Sequence, residues 1–286
     1  MIVSFHPLFE ADQNIICAGR DPGADDLAAI KAAKAVVLPQ GCRQSLYEMA
    51  THNCRHVFPN YSTRFNYSGK IGQIQLFQKN GTAHPHAESY AALQDFWQQY
   101  GDDPKDIAFE LPCVFKFDWG GEGETVFLIN SQDDLKKILQ KAAEFERSGQ
   151  KGFLLQEYVP TQGRSLRVVI IGQTLISYWR IQENADAFKS NVSRGARIDA
   201  ALAPVRQNVA KVFVKNLCNK TGINLAGFDV IFAPIEEHIK PLMLEINYFF
   251  GRRGLGGSDA YYEILKTEID NWLAHTLNKQ DQSNSR

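Results

Sequence analysis

The sequence predicts an α/β (α+β) protein that is built from more than one small lobe. Its 286 residues exceed the length of one minimal domain, and 44% of them are hydrophobic. Short apolar runs alternate with helical segments near the start, whereas hairpin-connected strands dominate the later part. The 18 Phe and 4 Trp residues supply enough apolar surface for a sizeable core, which argues against a disordered chain.

The composition excludes several classes of partner. A net charge of −1 at pH 7 provides no global basic field that would hold nucleic acid or an anionic membrane. The sequence shows no targeting signal, and no stretch approaches the roughly 18 apolar residues of a membrane span. The five cysteines are scattered without a C-x-x-C pair, which fits reduced thiols. We therefore expect a cytoplasmic protein that binds neither nucleic acid nor a membrane.

The N-terminal segment is predicted to form a small parallel sheet with helices between its strands. Apolar runs that suit strands lie at Ile2–Phe5, Ile15–Ala18, Ala35–Leu38 and His56–Pro59. Helical segments lie at Asp25–Ala33 and Ser45–His52. The polar segment Arg64–His86 follows as a junction that carries one short helix around Ile71–Phe77.

The rest of the chain is predicted to combine helices with hairpin-connected strands. A helix is expected at Glu88–Tyr100, and another begins after Ser131, which has Asp134 three residues on as in a capping box. The predicted strands are Cys113–Lys116, Thr125–Ile129, Phe153–Tyr158, Leu166–Ile171, Gln173–Arg180, Gly227–Ala233 and Pro241–Asn247. The remaining helices are expected at about Ala201–Asn219 and Asp259–Leu277, before a polar tail from Asn278.

The last predicted hairpin carries three side chains with oxygen atoms. Glu245 and Asn247 are two residues apart on one strand, so they point to the same face. Asp229 lies on the partner strand, where a simple register places it beside Glu245. Buried carboxylates repel each other and are costly to desolvate, and Mg²⁺ (or Mn²⁺), which prefers oxygen ligands, would compensate them. Spacing alone leaves open ordinary ion-paired or exposed residues on an amphipathic strand, as well as the metal site.

A lysine at a strand end precedes a glycine-rich turn. Lys116 is followed by Gly120, Gly121 and Gly123, but no Gly-Lys-Ser/Thr sequence makes this a Walker A loop. The N–H groups of a flexible glycine loop can still fold over phosphates, and the lysine would add a point charge. A glycine-rich hairpin turn beside a surface lysine is the alternative.

Two further segments could border a nucleotide. The strand end Gln156-Glu157-Tyr158-Val159 offers backbone groups that can pair with an adenine edge. The basic, polar loop Lys189–Gly195 could hold a phosphoryl group during transfer. Taken alone, the first is equally a strand that leaves the core, and the second a solvated loop.

The remaining basic and histidine-containing segments are less specific. Arg252 and Arg253 lie in a glycine-rich loop just after Asn247, and they could bind a substrate carboxylate or face solvent. Neither the segment His52–His56 nor the segment His84–His86 has good spacing for zinc, so we interpret these histidines as structural or solvated.

The order of these features, with Lys70 ahead of them, resembles the ATP-grasp superfamily from about Ser68 to Asp259. It is most similar to the RimK-type and glutathione-synthetase-like carboxylate–amine ligases. The resemblance implies two α+β lobes that clasp ATP, preceded by a small Rossmann-like pre-ATP-grasp α/β domain. The implied boundaries are 1–66 for that domain, 67–277 for the ATP-grasp domain and 278–286 for a flexible tail. The small lobe would cover about 105–160, and the large lobe the remainder of the ATP-grasp domain.

The resemblance also implies a role for each matching residue. The ATP-binding set would be Lys70, Lys116, Gly120, Gly121, Gly123, Gln156, Glu157, Tyr158, Val159 and Asn191. The catalytic set would be Arg194, Arg167 and Lys116, and the metal set Asp229, Glu245 and Asn247. Ser165 falls where related sequences often place an acidic ribose contact. The sequence also departs from RimK-type enzymes after Asn247, where two aromatic residues and the pair Arg252 and Arg253 imply a different substrate.

The implied reaction is amide formation driven by ATP and Mg²⁺. A substrate carboxylate would attack the γ-phosphate to form an acyl phosphate, and an amine would then displace phosphate. The implied substrates are a small carboxylate and an amine of an amino acid or peptide; a protein terminus as acceptor and a homo-oligomer both stay open. Two other hypotheses are a non-catalytic ATP-binding sensor or scaffold module and a phosphotransferase on the same fold. We further expect Asp229→Asn to weaken Mg²⁺-dependent ATP turnover far more than folding.

Overall fold

The structure is a computed structural model that describes residues 1–101, 107–121, 123–183, 195–232 and 240–283. The side chains of the last helix are described as far as residue 278. Within these ranges the chain forms three sheets, which pack with helices into an N-terminal unit and two α+β lobes. No described helix is long and apolar enough to cross a membrane.

The N-terminal unit is a four-stranded parallel sheet, as its alternating apolar and helical segments predict. Its strands are β1 (Ile2–Ser4), β2 (Gln13–Asn14), β3 (Ala35–Val37) and β4 (Val57–Phe58). They lie in the order β2-β1-β3-β4. Helices α1 (Ala24–Ala32) and α2 (Gln44–Asn53) connect them. The short strand β2 ends before Ile15, so the predicted strand Ile15–Ala18 is wrong in position.

A second sheet forms the small lobe. Its antiparallel strands are β5 (Ala87–Tyr90), β6 (Cys113–Phe117), β7 (Val126–Ile129) and β8 (Phe153–Glu157), in the order β5-β8-β6-β7. Helices α5 (Leu93–Tyr100) and α6 (Gln132–Arg147) pack against it. Ser131 caps α6 as predicted, because its hydroxyl accepts the backbone N–H of Asp134 at 3.2 Å.

The small lobe also corrects one prediction. The predicted helix Glu88–Tyr100 is wrong over its first residues, since Ala87–Tyr90 pairs with β8 as an edge strand. The apolar spacing of this segment fits either structure, and the open edge of β8 decides for the strand. As a result, the small-lobe sheet recruits a strand from before residue 105.

The large lobe is a five-stranded antiparallel sheet in the order β11-β10-β9-β12-β13. Its strands are β9 (Arg164–Ile171), β10 (Thr174–Ile181), β11 (Arg197–Asp199), β12 (Leu225–Phe232) and β13 (Pro241–Asn247). Helices α7 (Pro204–Thr221) and α8 (Ser258–Ser283) complete the lobe, and a 3-10 turn covers Arg253–Leu255. Helix α8 continues beyond Leu277 to Ser283, so the chain from Asn278 to Ser283 is helical rather than a tail.

Helices α3 (Ser62–Asn66) and α4 (Gly69–Lys79) form the junction. The backbone N–H of Ile71 in α4 donates to Asp118 of the small lobe at 2.7 Å. On the other side, the Gln73 side chain makes two hydrogen bonds to the backbone of Ile246 on β13. Helix α4 therefore joins the two lobes and sets their separation.

The buried side chains form separate cores. One large core spans the N-terminal unit, α4 and the large lobe, whereas the small lobe has its own core around Phe115 and Phe153. These two rings stack with centroids 4.8 Å apart. Apolar contacts also join the lobes, since Val159 packs with Ile231 and Leu242. A cleft that strands of both lobes line lies between the two sheets.

Candidate active site

The cleft contains a cavity of about 580 Å³. Its walls come from β6 and β8 of the small lobe and from β9, β10, β12 and β13 of the large lobe. Helix α4 supplies Lys70, and the loop after β13 closes one end with Phe249 and Arg253. A cavity of this size suits a small-molecule ligand.

Lys116 projects into the cavity from β6. It makes no hydrogen bond or ion pair with any residue that the structure describes. The pKa of Lys116 is lowered to about 8, mainly because burial disfavours the charged form; the positive charge of Lys70 adds to the lowering, whereas Glu245 and Asp229 oppose it. Within the described part of the chain, Lys116 is therefore a desolvated cation without a contacting anion, which is a costly arrangement.

Lys70 lies at the other side of the glycine turn. Its ammonium donates to the carbonyl oxygens of Trp119 at 2.9 Å and Gly120 at 3.1 Å. Burial lowers the pKa of Lys70, although Glu245 and Asp118 favour its charge. Gly120 has a φ of +81°, and a Cβ there would press against Thr125, so this turn requires glycine.

Asp229 on β12 is the centre of a buried ion network. Arg167 on the neighbouring β9 donates to it from Nε at 2.6 Å and from Nη2 at 3.2 Å. Arg180 on β10 adds Nη2 at 2.7 Å, and the amide of Asn247 donates at 3.3 Å. Burial alone would raise the pKa of Asp229, but the two guanidinium groups outweigh it and hold the pKa below its ordinary value.

Glu245 lies beside Asp229 in the register of β12 and β13, as predicted. In contrast to Asp229, it has no hydrogen bond or ion pair within the described part of the chain. Burial and the negative charge of Asp229 raise the pKa of Glu245, while Lys116 and Lys70 act against this rise. The Asn247 amide donates its N–H to Asp229, which leaves its carbonyl oxygen available.

The donor set can therefore hold a divalent cation, with one qualification about Asp229. Glu245 and the Asn247 carbonyl are hard oxygen donors on the cavity wall, which suits Mg²⁺. An ionised carboxylate has about four lone-pair sites, and the four contacts of Asp229 use all of them. A metal ion that binds Asp229 directly must displace one of these donors.

The predicted adenine-binding segment also faces the cavity. Gln156, Glu157, Tyr158 and Val159 all line it. Gln156 is only 1% exposed, and its Nε2 has no hydrogen-bond partner among the described residues. A buried amide donor without a partner is costly, so this atom fits the acceptor nitrogen or oxygen of a bound ring.

The predicted site residues meet in the cavity to different degrees. Gly123, Arg252 and Arg253 line it, whereas Gly120 and Gly121 lie in the neighbouring turn. Asn191 and Arg194 lie outside the described residues. The connection between β12 and β13 also lies outside the described residues, except for Lys240, because β12 ends at Phe232 and the description resumes at residue 240.

Sequence reasoning missed Arg180. It lies in a predicted strand, is 7% exposed, and donates to the Ser165 hydroxyl from Nε at 3.1 Å and Nη2 at 2.9 Å. Ser165, which the resemblance marks as a departure at the ribose contact, thus orients Arg180. An arginine within an apolar strand is the signal that identifies such a residue, because buried arginines need a partner.

Solved structures with the same architecture define the fold class. A RimK domain ATP-grasp protein from Sphaerobacter thermophilus superposes with a TM-score of 0.56 at 13% identity, covering 94% of this chain and 98% of that one. N5-carboxyaminoimidazole synthetase from Staphylococcus aureus, complexed with ADP, gives 0.57 at 12% identity and covers 84% and 60%. The chain has the ATP-grasp fold, which confirms the expected fold class.

The family follows from the sequence itself. The model of the RimK-like ATP-grasp domain matches residues 68–271, and the chain belongs to this family. A probable alpha-L-glutamate ligase of Legionella pneumophila (strain Corby) is 26% identical over 191 residues. That match covers 65% of this chain and 57% of the relative, so the chain spans little more than half of the relative's length.

Proposed function

We propose that this protein is an ATP-dependent carboxylate–amine ligase that forms an amide through an acyl phosphate and releases ADP and phosphate. One observation carries the proposal: the ammonium of Lys116, which has no partner among the described residues, lines the same cavity as the oxygens of Glu245 and Asn247. Cations on one wall and oxygen donors on the other suit a triphosphate with Mg²⁺ (or Mn²⁺) between them. The family supports the same class, because the relative from Legionella is described as a probable ligase.

The residues of the small lobe would bind and position ATP. The Gln156 amide and the backbone of the strand end would contact adenine. Lys116 and Lys70 would neutralise phosphate oxygens, with Lys70 exchanging its carbonyl partners for phosphate. The glycine turn, including Gly121 and Gly123, would close over the phosphates, and Asn191 would complete the set.

The large lobe would position the metal ion and the reacting carboxylate. Glu245 and Asn247 would hold Mg²⁺, with Asp229 as third ligand once one of its donors withdraws. Bound Mg²⁺ supplies charge neutralisation on the phosphate oxygens. Arg167 and Arg194 would orient the carboxylate, whose oxygen attacks the γ-phosphorus while ADP leaves. The amine nitrogen then attacks the acyl carbon, the C–O bond to phosphate breaks, and the nitrogen loses its proton.

We further propose that the substrates are a small carboxylate and an amino acid or peptide amine, with Arg252 and Arg253 at the acceptor end. A protein terminus as acceptor and assembly into a homo-oligomer extend the same proposal. All five cysteines are buried and free of disulfides, which supports the proposed cytoplasmic location.

The test measures ADP and phosphate release by the purified protein with ATP, Mg²⁺ and a panel of amino acids and dipeptides. Release should require both a carboxylate and an amine, and hydroxylamine should divert the intermediate to a hydroxamate. Glu245→Gln should lower ATP turnover by at least about 100-fold, because the substitution removes the carboxylate that would hold Mg²⁺ at the phosphates. A stable phosphorylated product without hydroxamate would favour a phosphotransferase. ATP binding without ADP release across the panel would favour a non-catalytic module.

A further inference from the structure

A second cavity of about 450 Å³ adjoins the first at the loop after β13. The two cavities share the segment from Phe249 to Arg253 as a common wall. The second cavity is also lined by Gln40 of the N-terminal unit and by Gly257 and Ser258 at the start of α8. A ligand in it would therefore reach the cavity that contains Lys116 and Glu245.

Phe249 forms the rim between the two cavities. It is 60% exposed, in contrast to the neighbouring Phe250, which packs against Tyr261. An exposed aromatic side chain that borders a cavity leaves apolar area that a ligand can cover. The Phe249 ring can therefore make an apolar contact with a ligand in the second cavity.

Arg64 and Gly41 border the Phe249 ring. The guanidinium of Arg64 lies 4.9 Å from its centroid, and the same arginine donates to the backbone oxygen of Gln40 at 3.1 Å. A Cβ on Gly41 would lie 3.5 Å from the ring, so this glycine gives it room. A ring fixed in this way loses little entropy when a ligand packs on it.

The charge of the second cavity is positive. Among the described residues that line it, Arg252 and Arg253 are charged and none is acidic. Arg252 is engaged, since its guanidinium lies 4.7 Å from the Tyr261 centroid and 4.5 Å from that of Tyr262. Arg253 is exposed and makes no hydrogen bond or ion pair with the described residues. A guanidinium fork of this kind matches a carboxylate.

We propose that the second cavity binds the amine substrate, and that this substrate is an amino acid or short peptide with a hydrophobic, preferably aromatic, side chain. Its free α-carboxylate binds Arg253, its side chain packs against Phe249, and its amine points into the first cavity. This assignment rests on the proposed ligase function. It adds the class of acceptor, which is apolar rather than acidic, and the two residues that select it.

Binding measurements test the assignment independently of turnover. Calorimetry on the full chain with ADP and Mg²⁺ would compare phenylalanine, alanine, glutamate and phenylalaninamide. The affinity for phenylalanine should be at least about 10-fold higher than the affinity for alanine or glutamate, because a hydrophobic contact of several carbon atoms contributes a difference of this size. Phe249→Ala should reduce the phenylalanine-to-alanine preference by about 10-fold, whereas Phe249→Tyr should retain it. The control Val212→Ala removes an exposed apolar side chain on α7, away from both cavities, and should leave the preference unchanged.

A second comparison tests the carboxylate contact. Arg253→Gln should lower the affinity for phenylalanine by about 10-fold or more and the affinity for phenylalaninamide by much less. Arg253→Lys should recover only part of the lost affinity for phenylalanine. The proposal is overturned if the wild-type protein binds glutamate with the same affinity as phenylalanine. It is also overturned if Phe249→Ala lowers the affinity for all four ligands by the same factor. ADP release with acidic acceptors would then leave the ligase function standing. Selective phenylalanine binding without ADP release would instead support the subsite and contradict the ligase function.

Discussion

The two walls of the central cavity handle charge in opposite ways. On the large-lobe wall, Asp229 is surrounded by Arg167, Arg180 and Asn247, so its charge is compensated within the fold. On the small-lobe wall, neither the Lys116 ammonium nor the buried Nε2 of Gln156 has a partner within the part of the chain that the structure describes. The large-lobe wall thus compensates the charge of Asp229 within the fold, whereas we propose that a ligand supplies the partners of the small-lobe wall.

The difference has a physical cause in the two sheets. Asp229, Arg167 and Arg180 lie on adjacent strands of one continuous sheet, where the register fixes their contacts. Lys116 faces across the cleft, and the large-lobe charges attract it without contacting it. Glu245 is the exception on the large-lobe wall, because it is half-buried there without a hydrogen-bond partner among the described residues.

The largest expected effect comes from breaking the compensated network. Asp229→Asn leaves two buried guanidinium groups without their counter-charge, which should cost about 3–5 kcal/mol of unfolding free energy. Urea denaturation followed by circular dichroism measures this. The sequence alone predicts that this change weakens ATP turnover far more than folding; the ion pairs add a substantial loss of stability to that expectation.

Glu245→Gln is the matched change on the same wall. Burial raises the pKa of Glu245, so its ionised form destabilises the fold as pH rises through the acidic range, and that loss persists at pH 7. The amide should keep or increase the unfolding free energy while it abolishes Mg²⁺-dependent ATP turnover. Equal destabilisation by both variants would contradict the contrast between the two carboxylates.

The next effect concerns Lys116 and its ligand. Lys116→Met removes a cation that a phosphate would pair with, and we expect ATP affinity to fall by roughly 10- to 100-fold, the equivalent of one charged hydrogen bond. Stability should not fall, because the ammonium has no partner among the described residues in the free protein. Calorimetric ATP titration and a thermal melt on the same sample measure both quantities.

The same variant gives a pH signature. Folding lowers the pKa of Lys116 to about 8 from its ordinary value of about 10.4. Below about pH 8 the charged lysine destabilises the folded state, and this penalty disappears as pH rises from about 8 to 10.4. Wild-type protein should therefore gain stability relative to Lys116→Met across that range. A constant difference between their melting temperatures would show that the lysine is not desolvated.

The smallest effect tests the support of Arg180. Ser165→Ala removes the hydroxyl that accepts from Arg180, while the ion pair with Asp229 remains. We expect a loss of about 1.5 kcal/mol, the lower end for a hydrogen bond to a charged group. Chemical denaturation measures the loss, with Ser177→Ala, which breaks a buried hydrogen bond to Gln207, as the neutral-pair control. A larger loss in the control would argue against a special role for Arg180.

The sequence by itself determined the parts of this protein that depend on local spacing. The order of Lys116, the glycine turn, the Gln156 strand end and the Glu-x-Asn strand carried the resemblance to the ATP-grasp superfamily, and that resemblance implied the fold class and the set of site residues. Period-two spacing was enough to place Glu245 and Asn247 on one face, and the hairpin placed Asp229 beside Glu245, because side-chain direction follows from strand geometry alone.

Only the tertiary structure decided which of those groups are already paired. Arg180 and Asp229 are 49 positions apart on strands separated by β9, so no local pattern shows that they share an ion pair. The edge strand Ala87–Tyr90 depends in the same way on the open side of β8. The same holds for the second cavity, where Arg64 of α3 and Gly41 of the N-terminal unit lie beside Phe249. Such contacts arise when separate elements pack, and their energies depend on burial and distance, which the order of residues does not contain.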